Sequence, residues 1–257
     1  FVDTRKYLLI NEYFDERFLT YLQLFQGEFT VQTYCLDPSG VLKSALGRAV
    51  SSVLFSATLT PPDYFADLCG CAANAETVEL PSPYAPENLC VTVVPGIDTT
   101  MENRAKSYRK VATMIAAAVS AKAGNYLVFF PSYDYLEEVR KRFAEKYPRV
   151  ECIVQQKNMN PRQRDEFLAH FKEDEGRLRI GFCVLGGGFS EGVDLPGKRL
   201  IGAIVIGVGL PGLSNERNFL RDYFEIKREH GYEYAYTYPG MNRVLQAAGR
   251  VIRTEED

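Results

Sequence analysis

The sequence predicts an α/β fold built on a doubly wound parallel sheet. Three observations carry that prediction. Segments of strand character alternate with segments of helical periodicity along most of the chain. The strand segments are apolar throughout rather than apolar and polar by turns, as strands covered on both faces are. Finally, glycines, prolines and hydroxyl residues gather in loops immediately after strands, which is where open α/β sheets bind their ligands.

Taken in order, residues 11–25 place Tyr13, Phe14, Phe18, Leu22 and Phe25 at helical spacing and read as an amphipathic helix stopped by Gly27. Residues 29–36 read as a strand closed by the turn Asp37-Pro38-Ser39-Gly40. A short helix follows at 41–48, then a short apolar strand at 51–55 that runs into Ser56-Ala57-Thr58. Pro61, Pro62, Pro81, Pro83 and Pro86 crowd the next stretch, which reads as a linker holding a short helix at 63–68. Beyond it the alternation is regular. Strands are expected at 90–94, 126–130, 151–155, 178–184 and 200–207, and helices at 101–121, 135–147, 161–171, 214–230 and from 240 to 248. Pro161 suits a first helical turn.

Composition narrows the class. The chain has 257 residues, a net charge of −3, 46% hydrophobic and 25% charged residues, the make-up of an ordinary globular protein of one large or two small domains. Its longest apolar runs, 111–119 and 200–210, are too short or too rich in glycine to span a bilayer. Phe1 marks a fragment or a processed form, and nothing near it reads as a signal peptide. The six cysteines form no CxxC pair and read as reduced thiols of a cytoplasmic protein, not as a metal site. The overall charge leaves no basic footprint for nucleic acid. Local clusters exist at Arg104, Lys106, Arg109 and Lys110, at Arg140, Lys141 and Arg142, and at Arg162 and Arg164; each reads by itself as a solvated helix face.

Four loops carry chemistry. Ser56-Ala57-Thr58-Leu59-Thr60 puts small hydroxyl residues at a strand end, fit to relay hydrogen bonds or simply to turn the chain. Phe129-Phe130-Pro131-Ser132-Tyr133 leads a strand into a helix: Ser132 suits a cap, the helix start offers N–H groups to a phosphate, and Tyr133 could stack on a base. Gly186, Gly187 and Gly188 let backbone approach a ligand closely. No Gly-Lys-Ser/Thr follows them, which excludes a Walker A loop. Glu191 and Asp194, just after, could hold a ribose, a water or an arginine, or remain solvated acids of a turn. Last, Arg250 and Arg253 are three residues apart and share a helix face with Gln246. Two guanidinium forks on one face suit a polyphosphate, or surface salt bridges to Glu255 and Glu256.

In order and content these loops resemble motifs III, IV, V and VI of superfamily-2 helicases, nearest to the XPD/DinG branch. Ser52 through Leu59, preceded by Cys35-Leu36-Asp37-Pro38-Ser39, looks like the end of that branch's first motor domain. Phe129 to Tyr133 looks like motif IV, and Ser190-Glu191-Gly192-Val193-Asp194-Leu195-Pro196-Gly197 like motif V. Tyr238-Pro239-Gly240 leading into Gln246-Ala247-Ala248-Gly249-Arg250-Val251-Ile252-Arg253 looks like motif VI and its approach.

The resemblance implies a RecA-like, P-loop NTPase-like fold. Residues 1–60 would be the tail of helicase domain 1 with the end of an arch insert, 61–88 a linker, and 89–257 helicase domain 2. It implies ATP and Mg²⁺ held between the two domains, with Arg250 and Arg253 as arginine fingers. Gln246, Glu191, Asp194 and Gly192 would lie on the nucleotide side, and Ser132, Tyr133, Gly187 and Ser190 along a single-stranded DNA path. Family members move 5′ to 3′, act in the cytoplasm or nucleoid, and in many cases carry an iron–sulfur cluster in an insert of domain 1. This chain has no Walker A loop, no DEAH-type box and no cysteine set for such a cluster, so alone it is expected neither to hydrolyse ATP nor to unwind DNA. Two other readings stand beside this one: a nucleotide or sugar-nucleotide enzyme with the glycines as its phosphate loop, and a non-catalytic interaction module on a helicase fold.

Overall fold

A computed structural model of the chain describes residues 2–173, 176–191, 194–252 and 254, with backbone alone at Val2, Asp3, Phe25, Ser190 and Glu191. In chain order the elements are α1 (Val2–Asn11), β1 (Phe18–Phe25), β2 (Glu28–Cys35), α2 (Ser39–Leu46), α3 (Pro62–Leu68), α4 (Arg104–Ser120) and β3 (Asn125–Phe130). Then come α5 (Tyr133–Lys146), β4 (Glu151–Val154), α6 (Pro161–Leu168), β5 (Arg179–Val184), the single turn α7 (Gly188–Glu191) and β6 (Gly202–Val205). Helix α8 (Asn215–Arg228), a π-helical turn at Glu233–Thr237 and α9 (Tyr238–Ala248) close the order. The chain forms two compact units, one made of Phe1–Glu79 with Pro211–Pro239, the other of Leu80–Leu210 with Gly240–Asp257.

In the second unit the strands lie in the order β4-β5-β3-β6, all parallel. This is the α/β sheet the sequence predicts. Side chains of β3 alternate between two cores. Tyr126, Val128 and Phe130 meet Val111, Ile115 and Val119 of α4 and Leu136, Val139 and Phe143 of α5. Leu127 and Phe129 meet Phe167 of α6, Phe171, Phe189, Leu195 and Ala247 of α9. Burial on both faces is why β3 is apolar at nearly every position. Gly181 on β5 makes room for this packing, since a Cβ there would stand 2.6 Å from the Phe171 ring and 2.7 Å from Leu127 Cδ2. The helices start where capping residues stand: Asn160 and Gln163 form a reciprocal capping box at α6, with Pro161 in its first turn.

Three expectations fail here. The helix expected over 11–25 does not form; β1 instead pairs antiparallel with β2, from Phe18 opposite Cys35 to Phe25 opposite Glu28. Positions 14, 18 and 22 fit one helix face, but a spacing of four also keeps residues on one face of a strand. The turn decides: Gln26 and Gly27 both take positive φ, 51° and 85°, the two-residue geometry that matches the twist of a hairpin. The strands expected at 51–55 and 90–94 are also absent. Neither segment has a paired neighbour among the described residues, and Phe55 is 88% exposed and Val93 81%. An apolar run becomes a strand only when neighbours take up its backbone N–H and C=O groups.

Candidate nucleic-acid interface at the carboxyl ends of the strands

The carboxyl ends of β3, β4 and β5 bring together several of the polar residues singled out in the sequence. Past β3, Ser132 caps α5: its Oγ accepts from the Tyr135 N–H at 3.4 Å. The same Oγ accepts from Arg104 Nη1 at 3.3 Å. The Arg104 guanidinium also lies 4.8 Å from the centre of the Tyr135 ring, whose hydroxyl sits 2.5 Å from Ser107 Oγ. Arg104, at the first turn of α4, is thereby fixed beside the entry to α5.

Tyr133 is the next residue, half-buried. Its hydroxyl donates to the Gln156 carbonyl at 3.4 Å and accepts from Gln155 Nε2 at 3.1 Å. Lys157 Nζ lies 5.4 Å from the centre of its ring. Burial pushes the Tyr133 phenol above its usual value, so it keeps its proton and remains a donor. Gln155 itself is buried, and its Oε1 accepts from the Val184 N–H at 2.8 Å.

Past β5 the chain runs through three glycines. Gly186 has φ of 72°, and a Cβ there would stand 3.1 Å from Arg243 Nε. At Gly187 a Cβ would stand 3.0 Å from Gln155 Nε2, and at Gly188 2.9 Å from the Arg164 guanidinium. The glycines thus form a strip of bare backbone bordered by Gln155, Arg164 and Arg243, with Tyr133 one hydrogen bond away. Such a surface suits a phosphodiester chain: guanidinium forks and peptide N–H groups grip phosphate, and a ring offers a face to a base.

Of the residues singled out in the sequence, Ser132, Tyr133 and Gly187 come together here. Ser190 and Glu191 follow in the short turn α7, with only their backbone described, and Gly192 and Arg253 lie outside the described residues. Asp194 is exposed. Gln246 lies in the last turn of α9 and Arg250 two residues past its end, in a turn and not on the expected helix face, with Arg250 Nε donating to the Gln246 carbonyl at 3.1 Å. Sequence reasoning missed Gln155, Lys157 and Arg243, which carry no local signal. It counted Arg104 and Arg164 among solvated helix faces; Arg164 is exposed, whereas Arg104 is half-buried. That reading also describes Arg140, Lys141 and Arg142, which pair with Glu137 and Glu138 along α5. Among the described residues no group of three or more His, Cys, Asp or Glu side chains could hold a metal, and no helix is long and apolar enough to cross a membrane.

A parallel sheet with both faces covered and a glycine loop at its carboxyl edge is the frame of a RecA-like fold. Comparison with known proteins agrees. The helicase C-terminal domain family matches residues 115–257, and the chain belongs to that family. It is similar to a probable ATP-dependent helicase of Methanocaldococcus jannaschii, 30% identical over 197 residues, covering 72% of this chain and 30% of that protein. It is also similar to the general transcription and DNA repair factor IIH helicase subunit XPD of Dictyostelium discoideum, 25% identical over 272 residues, covering 97% of this chain and 33% of the relative. Among solved structures, an apo XPD structure superposes with a TM-score of 0.61 at 19% identity, covering 96% of this chain and 49% of that one. The resemblance to XPD-type helicases read from the motifs holds. The chain spans about a third of the length of the curated relatives it matches.

Proposed function

We propose that this chain is the second motor domain, with the tail of the first, of an ATP-dependent DNA helicase that travels 5′ to 3′ on single strands. The observation that carries the reading is the glycine strip at Gly186, Gly187 and Gly188, bordered by Gln155, Arg164 and Arg243 beside Tyr133, in a chain of the helicase C-terminal domain family. In this reading the strip and its arginines hold the phosphodiester backbone, and Tyr133 takes a base. Phosphate contacts give grip without sequence preference, as a motor that moves along any sequence requires.

ATP and Mg²⁺ are the cofactors this reading implies. A cationic side chain just past the end of α9 fits the triphosphate: the bond from Arg250 Nε to the Gln246 carbonyl fixes the root of the guanidinium, whose planar fork suits a phosphoryl group. Bound ATP supplies the phosphoryl group that is cleaved, and Arg250, with Arg253, would stabilise the charge that develops on it. Gln246 orients Arg250 through its main chain, while Glu191, Gly192 and Asp194 link the nucleotide side to the DNA path. Mg²⁺ and the phosphate-gripping lysine belong to helicase domain 1, the partner this chain needs before it can turn over ATP.

The test is ATP hydrolysis by the full-length protein with and without single-stranded DNA, beside this chain alone. Strong stimulation in the former and no turnover in the latter is expected. In the full-length protein, Arg250→Ala should lower DNA-stimulated turnover by roughly 10³- to 10⁵-fold while single-strand affinity holds. Normal turnover in that variant removes Arg250 from the site. Tyr133→Ala should weaken single-strand binding by ~1–3 kcal/mol at fixed salt; unchanged affinity would make Tyr133 a packing residue.

A further inference from the structure

We propose that Gln155 is a positioning residue of the strand-binding surface, locking Tyr133 and the glycine strip into one geometry so that each reports the state of the other. The inference rests on the nucleic-acid reading above, in which Gln155 only borders the strip, and gives that residue a role of its own. It starts from the end of a ladder. Strand β4 pairs with β5 only as far as Val154 opposite Phe182, and the Gln155 N–H makes the last main-chain bond, to the Phe182 carbonyl at 2.9 Å. Beyond that point β4 leaves the sheet, and Val184 N–H loses the neighbouring strand as a partner. Gln155 Oε1 takes the place of the missing carbonyl, accepting from Val184 N–H at 2.8 Å.

That substitution of side chain for main chain frees the carboxyl end of β5 to open into the glycine loop. It also aims the other half of the amide. With Oε1 spent on Val184, Nε2 donates to the Tyr133 hydroxyl at 3.1 Å, and the phenol O–H donates a hydrogen bond to the Gln156 carbonyl at 3.4 Å. The same Nε2 stands 3.0 Å from where a Cβ on residue 187 would be, so the flatness of the strip at Gly187 is set by this amide. Gln155 is 92% buried by the 8% exposure of its surface. An apolar residue would fill the space as well, yet would leave Val184 N–H without an acceptor and Tyr133 without its orienting donor. One amide therefore joins the ends of three strands, and a shift of Tyr133 under a base is transmitted to the loop that leads to Glu191 and Asp194.

The experiment measures affinity of the full-length protein for a fluorescent oligothymidylate at fixed salt, with Gln155→Leu, Tyr133→Phe and the double variant, and urea unfolding alongside. Gln155→Leu should weaken binding roughly 3- to 30-fold, as expected for losing one or two hydrogen bonds. The double variant should bind no more weakly than Gln155→Leu, because both changes break the same link. Gly187→Ala, which crowds Nε2 from the opposite side, should lower affinity several-fold and stands in for Gln155→Leu if that variant does not fold. Wild-type affinity in either variant, or losses that multiply in the double variant, overturns the proposal and leaves Gln155 a core residue. An unaltered protein that binds no single strand overturns the parent reading, and this inference with it.

Discussion

The two units of this chain are held together by different means. In the second, a four-stranded sheet buries apolar side chains on both faces, and β3 is closed to solvent along its whole length. In the first, the buried apolar residues among those described are Leu36, Phe224, Ala235 and Tyr236. Rings and polar clasps do the rest. Tyr64 packs on Phe65, Tyr234 and Tyr238 with ring centres 4.9 to 5.0 Å apart, and Tyr234 stacks on Phe224 at 4.3 Å. Asp67 accepts two bonds from Arg228, at 2.6 and 2.9 Å, and one from the Tyr234 hydroxyl at 2.9 Å. The same contrast holds between two short apolar segments. Residues 125–130 are a fully buried central strand, whereas 51–55, ending in the apolar run Val53-Leu54-Phe55, stands exposed without a pairing neighbour among the described residues. Local apolarity proposes a strand; a neighbour that takes up its backbone N–H and C=O groups makes one.

The largest test of that contrast is a pair of truncations. Phe129→Ala, which empties a site with no exposed surface, should cost about 3–5 kcal/mol of stability. Phe55→Ala, at 88% exposure, should change it by less than about 0.5 kcal/mol. Urea unfolding of both variants of this chain checks the pair, and equal losses would mean that 51–55 packs in solution. Next in size is Gly181→Val. Its side chain would meet the Phe171 and Phe167 rings and Leu127, so overpacking should destabilise the second unit by about 1–3 kcal/mol. A neutral outcome would show that the strand can shift to admit it.

The smallest effect separates the units by pH. Burial pushes the Asp67 carboxyl up, but the hydrogen bonds from Arg228 and Tyr234 outweigh it and hold the group below its ordinary value. A carboxyl lowered in the folded state stabilises above its unfolded pKa, ~3.9, and loses that contribution as pH falls through the folded value. The clasp should therefore weaken only in acid. Because Arg228 is 47% exposed, the contribution is about 1 kcal/mol or less. Asp67→Asn should remove that part of the acid dependence, read from unfolding midpoints between neutral and acid pH. An unchanged profile would mean the pair is screened away.

Much of the frame was legible in the sequence because its signals are local. The apolar run of β3, Ser132 as the start of α5 and Pro161 opening α6 depend on neighbours along the chain, and the structure places them as expected. The hairpin was missed because Phe14, Phe18 and Leu22 satisfy two periodicities at once, and Gln26 is not a usual left-handed residue. The site was legible only in its loop residues. Ser132, Tyr133 and Gly187 follow strands and carry a local signature. Gln155, Arg164 and Arg243 reach the same place from three separate elements, and only the assembled sheet shows that they meet. Arg162 and Arg164 are both exposed, as the charge cluster suggested; Arg162 pairs with Glu166, while Arg164 also borders the glycines.

Strand β3 is bonded on both edges, to β5 and to β6, and its side chains serve both cores. Its amide hydrogens should be among the last in the chain to exchange with deuterated solvent, released only when the whole unit opens. Tyr133 stands three residues past the end of that strand. In the proposed reading, the residue that takes a base is thus mounted on the strand expected to open last.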